Sequence, residues 1–433
     1  MRITGSTAAQ IFESVRALAQ RGELAHGQAL PTVRDLAARL GVNRNTVSMA
    51  YRRLATAGIA STQGRLGTTV RGPLPAGEQE GFVTGSPLDD LGSGNPDPAW
   101  LPDLSSVLAR KRYRKRLYGE APVDPELERI ARAWLAPDCP RDFAVDLTHG
   151  SVDALERLLS AHLAAGDKVA VEDPCFVSSG NTLRVAGFQI LAVPVDARGM
   201  RVDALEAALA AGAQAVVVTP RAHNPTGASL DAARARRLRS TLARYPHVLV
   251  IVDDHFSQLS CNEYHDVIPR AAGRWALVRS VSKMLGPDLR VAVVASDVRT
   301  SQRLRLRLAS GTNWVSHLLQ DVVVACLSSP TVTRRIAQAR ADYARRRNIL
   351  AAALAERNVA VVTPADGLSL WLPLEEDSRP VALALAQRGW LVRDGEAFGV
   401  LRPAHGLRVT VSTLDEPKAR AFARALGEIL GRR

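Results

Sequence analysis

Six short apolar runs, ending at Thr148, Glu172, Thr219, Asp253, Ser280 and Ser296, alternate with Ala/Leu/Arg-rich stretches such as 151–165 and 229–244. Parallel strands need long crossovers, and helices are the usual ones, so this alternation predicts a mostly parallel α/β sheet. The pattern occupies residues 92–330. A long Arg-rich helix over 331–357 and a mixed α+β tail come next, so 331–433 reads as a smaller C-terminal subdomain. At 433 residues the chain exceeds what one core usually holds, and 46% apolar with 23% charged residues is a folded, globular composition. No apolar run reaches 18 residues, so no spanning helix and no membrane partner is expected. The start, Met1 to Gly5, has no apolar segment behind its charge and is not expected to be a signal peptide. Cys139, Cys175, Cys261 and Cys326 lie far apart without a CxxC pair. A disulfide framework or zinc site is therefore not expected, no metal is assigned, and a cytoplasmic location fits.

The formal net charge is +13, and about half of it sits in residues 1–72, where ten arginines face Glu13, Glu23 and Asp35. Apolar spacing there is helical: Ile11, Val15 and Leu18, then Leu36, Ala37 and Leu40, then Val47, Tyr51 and Leu54. Thr32 is placed to cap a second helix, and Gly41-Val42-Asn43 to end it and cap a third. Two short helices around a Gly-containing turn form a helix-turn-helix, and Gly64-Arg65-Leu66-Gly67 between short strands forms a wing. Arg44, Asn45, Thr46 and Ser48 fall on the first turns of the third helix, the part that reaches base edges in the major groove. Arg34, Arg52 and Arg53 suit phosphate contacts, and Arg65 an adjacent minor groove. A plain three-helix module with a solvated basic face is the bland alternative. Residues 73–91, rich in Pro and Gly, read as a linker.

In an open parallel sheet, ligands sit beyond the carboxyl ends of the strands. Thr148-His149-Gly150-Ser151-Val152-Asp153 opens a helix with free amides and a hydroxyl, a natural phosphate seat. Glu172-Asp173-Pro174-Cys175-Phe176 brings an aromatic ring, and His223-Asn224-Pro225-Thr226-Gly227 an amide. Asp253-Asp254-His255 ends another run, and Ser280-Val281-Ser282-Lys283 a further one, with Arg290 seven residues on. Each alone is commonly a cap, a turn or a solvated lysine. Five in order at strand ends point to a ligand with a phosphate, a ring nitrogen and an aldehyde, which is pyridoxal 5′-phosphate. Lys283 is then the Schiff-base lysine, and Asp253 holds the pyridine nitrogen protonated. Phe176 stacks on the ring and Asn224 donates to the phenolic oxygen, while Gly150, Ser151, Val152, Ser280, Ser282 and Arg290 surround the phosphate.

The string Leu30 to Val47 and the Gly-Arg-Leu-Gly-Thr wing closely resemble the GntR winged-helix pattern. Ser-x-Ser-Lys-x-x-x-Pro-x-Leu-Arg at 280–290 and His-Asn-Pro-Thr-Gly at 223–227 resemble a fold-type-I aminotransferase over 92–430. Joined, the two resemble the MocR family of bacterial transcriptional regulators. The resemblance implies an α/β fold class with an N-terminal winged helix-turn-helix and a PLP-dependent fold-type-I aminotransferase domain. It also implies a double-stranded DNA operator and a head-to-tail, domain-swapped homodimer. In that dimer Tyr118 reaches the partner subunit's phosphate, and Arg408 clamps the α-carboxylate of an amino-acid ligand. Relatives carry Tyr where this chain has His255, Gly where it has Asp288, and a different loop at Glu120–Val123, which points to retained cofactor binding and slow transamination.

Three functions are open to these residues: a regulator whose operator binding answers to pyridoxal phosphate with or without an amine, a sensor of the cofactor alone, or a working aminotransferase with a DNA-binding appendage. Vitamin B6 genes are the regulon the resemblance suggests. Arg110–Arg116 is either a second DNA surface or a solvated face.

Overall fold

The computed structural model describes residues 3–25, 27–57, 59–62, 67–70, 81, 85–109, 113–140 and 142–431. They fall into two compact units, one built on the N-terminal segment and one on most of the remaining chain.

In the first unit, α1 (Ala8–Gln20) begins at a capping box in which Thr7 and Gln10 satisfy each other's backbone amides. Helix α2 (Val33–Leu40) is capped by Thr32 and ends at Gly41 in the left-handed region, φ 65°. Asn43 caps α3 (Arg44–Thr56) through the amide of Asn45. Both caps sit where the sequence placed them. Ile11, Val15, Leu18, Leu36, Ala37, Val47, Tyr51 and Leu54 are all buried in one core, and Leu40 is half-buried at its edge. Strands β1 (Ala60–Thr62) and β2 (Thr68–Val70) pair antiparallel, Ala60 opposite Val70, as the wing requires. The wing tip with Arg65 lies outside the described residues, as do most of the linker and residues 110–112 of the basic run.

In the second unit, a two-residue strand β3 (Asp89–Asp90) pairs in parallel with Trp390–Leu391. The main sheet contains β4 (Ala144–Thr148), β5 (Lys168–Asp173), β6 (Gln189–Asp196), β7 (Gly199–Met200), β8 (Ala215–Val218), β9 (Leu249–Asp253), β10 (Trp275–Ser280) and β11 (Ala292–Ser296). Among the described residues its order is β4-β11-β10-β9-β8-β5-β6-β7. Strands β5, β8, β9 and β10 run parallel, whereas β11 is antiparallel to both β10 and β4. Strands β8, β10 and β11 are buried at every residue, so β8 and β11 read as near-continuous apolar runs rather than alternating ones, and β10 does so up to Arg279. The sheet also holds β6 and β7, which the apolar runs did not announce.

The Arg-rich helix spans Pro330–Ala355 and begins at a Ser329 cap. Beyond it, Ser369–Pro373, Gly406–Thr410 and Arg393–Asp394 form a three-stranded antiparallel sheet over a separate core containing Leu350, Leu354, Leu370, Leu407 and Phe422. No helix among the described residues is long and apolar enough to cross a membrane.

Candidate functional site

The strand ends converge on a cavity of about 520 Å³. Ser151 and Val152 line it from the helix after β4, Phe176 from the loop after β5, and Asn224 from the loop after β8. Asp253 and His255 enter from β9, and Ser280, Ser282, Lys283 and Arg290 from the segment after β10. Gly150 lies directly behind this lining: it adopts φ 92°, and a Cβ there would meet Arg290 Nη2 at 2.8 Å. Only glycine lets the turn carry the guanidinium so close.

The segment after β10 is shaped by its own hydroxyls. Ser280 Oγ accepts from the Ser282 amide at 3.2 Å and meets the Ser282 hydroxyl at 3.0 Å. Lys283 Nζ donates to the Gly94 carbonyl at 2.7 Å. Arg290 holds a left-handed backbone, φ 46°, and donates from Nη2 to the His149 carbonyl at 3.0 Å. A non-glycine residue in that region is strained, and such strain collects at ligand sites. Asp288 is exposed, so its carboxylate faces solvent.

Asp253 closes the floor. Burial and the charge of Asp254 push its carboxyl up to about 7, and its buried Oδ1 has no hydrogen-bond partner among the described residues. A buried acceptor left open in this way fits a ring N–H. His255 Nδ1 stands 4.0 Å from that oxygen, and burial together with the Lys283 charge pushes the imidazole down to about 4, so it is neutral near pH 7. Behind the floor, Asp254 accepts from Arg221 Nε and Nη2, both at 2.8 Å, and from Arg279 Nε at 2.8 Å. Arg279 reaches on to Asp138 and lies over the Trp134 and Tyr264 rings.

Arg408 is fully buried on the Gly406–Thr410 strand. Its Nη1 donates to Asn224 Oδ1 at 3.1 Å, its Nη2 to the Gly92 carbonyl at 2.6 Å, and the guanidinium lies 4.9 Å from the Phe398 ring centre. Because arginine can only donate, the Asn224 carbonyl is turned toward it, which leaves the amide nitrogen as the end able to donate into the cavity. Tyr118 stays outside this chain's own cavity, 92% exposed, with its ring edge-on to Trp314 at 5.6 Å.

An open buried acceptor, a glycine cradle beside an arginine and serine hydroxyls, and a lysine amine lining the same cavity are the donor set pyridoxal 5′-phosphate requires. The residues present fit it.

On the DNA-binding unit, Arg44, Asn45, Arg52 and Arg53 are exposed on α3, Thr46 and Ser48 are half-exposed, and Arg34 is exposed on α2 beside Asp35. Arg53 lies over the Phe12 ring at 5.8 Å. Met49, 54% exposed on the same face, was missed in the sequence. So were Glu172 as a cavity group and Arg279, although an arginine inside the run Trp275–Ser280 was a visible signal.

Fold and site together define a helix-turn-helix DNA-binding module joined to an aminotransferase-type body. Residues 81–426 match the aminotransferase class I and II family, and residues 7–70 match the gntR family of bacterial regulatory proteins. The chain is 52% identical over 430 residues to the vitamin B6 salvage pathway transcriptional repressor PtsJ of Salmonella typhimurium, covering 99% of this chain and 100% of that one. It is 27% identical over 400 residues to the pyridoxine biosynthesis transcriptional regulator PdxR of Corynebacterium glutamicum, covering 88% and 86%. In fold it is similar to Pyrococcus horikoshii kynurenine aminotransferase, with TM-score 0.73 and 23% identity over 80% of this chain and 91% of that one. The chain belongs to the MocR-type regulators, in which a GntR-family DNA-binding domain is joined to an aminotransferase class I and II domain. It is a DNA-binding transcriptional regulator rather than a dedicated enzyme.

Proposed function

We propose that this regulator binds pyridoxal 5′-phosphate in the strand-end cavity and that occupancy changes its affinity for an operator controlling vitamin B6 genes. The observation that carries this reading is the open, buried Oδ1 of Asp253 in a cavity that Lys283 and Arg290 also line, with Gly150 packed against the Arg290 guanidinium. When bound, the cofactor supplies an aldehyde and a ring that draws electrons from it. Lys283 supplies the amine for that aldehyde, and Asp253 accepts the ring N–H and keeps it protonated. Phe176 flanks the ring, neutral His255 and the Asn224 amide serve the phenolic oxygen, and Ser151, Val152, Ser280, Ser282 and Arg290 hold the phosphate.

The assembly is a head-to-tail homodimer in the cytoplasm. Exposed Tyr118 meets the partner's phosphate site, and Arg408 is the residue an amino-acid or amine effector would engage. Arg44, Asn45, Thr46 and Ser48 read bases, Arg34, Arg52 and Arg53 hold phosphates, and Arg65 enters an adjacent minor groove. The working division is residues 1–72 for DNA, 73–91 as linker, 92–330 for the cofactor and 331–433 as the small subdomain. Occupancy can shift DNA affinity only if the cofactor binds the DNA-competent and incompetent arrangements unequally.

The test is a visible absorption titration of purified protein with pyridoxal phosphate beside Lys283→Ala. A band in the wild type that the variant lacks, with both proteins folded, is expected. An equal band in the variant would mean another lysine is the anchor.

A further inference from the structure

Asp253 is not the only carboxyl in the cavity floor. Glu172, next to last on β5, also lines it, and its side chain is 4% exposed. Strand β8 lies between β5 and β9, so the two carboxyls flank its end. Glu172 Oε2 accepts from the Thr219 amide at 3.0 Å, and the same oxygen stands 3.5 Å from His223 Nε2. Glu172 Oε1 and His223 Nε2 are both buried without a hydrogen-bond partner among the described residues. No arginine or lysine there pairs with Glu172.

We propose that Glu172 is a neutral positioning residue of the cofactor floor, its carboxylic proton directed at His223, so that Asp253 remains the single charged carboxylate beneath the ring. The inference rests on the cofactor reading for the ring, but not for the protonation of Glu172.

Three physical arguments support it. Two carboxylates in one water-poor floor repel, and Glu172 has no cationic partner there to hold it ionised. Burial, with the Asp253 charge added, pushes Glu172 up to about 8 despite the opposing Thr219 bond. His223 is the matching acceptor: burial and the nearby His255 push it down to about 3 against a bond to the Pro174 carbonyl, and its Nδ1 meets Thr226 Oγ1 at 2.8 Å. When the ring proton sits on Nδ1, which can donate it to Thr226 Oγ1, Nε2 can only accept, and Glu172 Oε2 stands 3.5 Å from it. The other charged or titratable groups do not alter this balance. Asp173, next on β5, turns to the Val400 amide at 3.0 Å, and Asp254 is spent on Arg221 and Arg279. His255 is neutral, and the Lys283 ammonium, on the segment after β10, donates to the Gly94 carbonyl rather than to Glu172.

The pH effect has a definite sign. A carboxyl whose folded pKa is raised from 4.5 to about 8 costs the native state nothing below pH 4.5. The cost grows as pH rises, because the unfolded chain ionises first, and is complete above pH 8. Glutamine keeps the shape and cannot ionise.

The test compares full-length wild type, Glu172→Gln and Glu172→Ala. Thermal midpoints of the cofactor-free proteins are measured from pH 5 to 9, and pyridoxal phosphate dissociation constants from pH 7 to 9. The midpoint of Glu172→Gln should exceed the wild type at pH 8, with the gap closing toward pH 5. Cofactor affinity should fall more steeply with pH in the wild type, by several-fold, than in the Gln variant. Glu172→Ala, which leaves a hole beside His223, should lose midpoint at every pH. Equal wild-type and Gln midpoints throughout, or a Gln variant less stable by a constant amount, would mean Glu172 is ionised and would overturn the proposal. If neither protein binds pyridoxal phosphate while the midpoint gap persists, the cofactor reading fails and the neutral Glu172 stands.

Discussion

Arg279 shows what a single residue does in this fold. It sits in the interior strand β10, 1% exposed, and is tolerated there because Asp254 and Asp138 neutralise it and two aromatic rings cover it. Arg279→Met leaves Asp138 without its cation and buried Asp254 with Arg221 alone, so it should cost about 3 kcal/mol in chemical denaturation. A change below about 1 kcal/mol would mean the strand end carrying Asp253 does not depend on this network. His223 gives a second test. Its folded pKa, about 3, lies below the ordinary 6.5, so the unfolded state binds the extra proton and stability falls as pH drops below 6.5. His223→Asn should flatten part of that acid limb in pH-dependent melting, and an unchanged limb would assign it to the other buried histidines. At this scale the sequence was most informative where a polar residue ends an apolar run, as at Asp253, Ser280 and Lys283. It was silent on Glu172 and on the Arg221–Asp254–Arg279 network, because their states depend on neighbours brought together from distant positions.

At the scale of elements, the helix caps and the glycine turn carry the predictions. Replacing Asn43 by alanine removes the side chain that satisfies the Asn45 amide and should destabilise α3 by about 1 kcal/mol, read as faster amide exchange in that helix. On DNA, Arg44→Ala should weaken binding and relax base preference at one position, whereas Arg52→Ala should weaken all sequences alike and lower the salt slope by about one. Unchanged specificity in the Arg44 variant would contradict the docking. Gly150→Ala forces a side chain onto φ 92° beside Arg290 and should weaken pyridoxal phosphate binding while leaving DNA binding in the cofactor-free state intact. The elements were largely legible. Helices α2 and α3 announced their caps, and the buried strands their apolar runs. Strand β6 was hidden because Pro194 interrupts its apolar run and much of it is only half-buried, both of which demote a strand signal. Met49 was missed because periodicity finds buried faces, while its side chain is exposed.

At the scale of the whole molecule, the net charge of +13 and its concentration at the N-terminus match a partner that is a polyanion. Charge alone did not say which polyanion, and composition could not distinguish an aminotransferase from a regulator. The pairing of a gntR-family match over 7–70 with an aminotransferase match over 81–426 makes that distinction. If cofactor occupancy changes the affinity for DNA, as proposed, then DNA changes the affinity for the cofactor by the same factor. The measurement that tests this most directly is the dissociation constant for DNA from the protein's own promoter region across a pyridoxal phosphate titration. It should shift several-fold, with a midpoint matching the absorbance titration, and Lys283→Ala should require far more cofactor. A wild-type DNA affinity unchanged from zero to saturating cofactor would contradict the coupling.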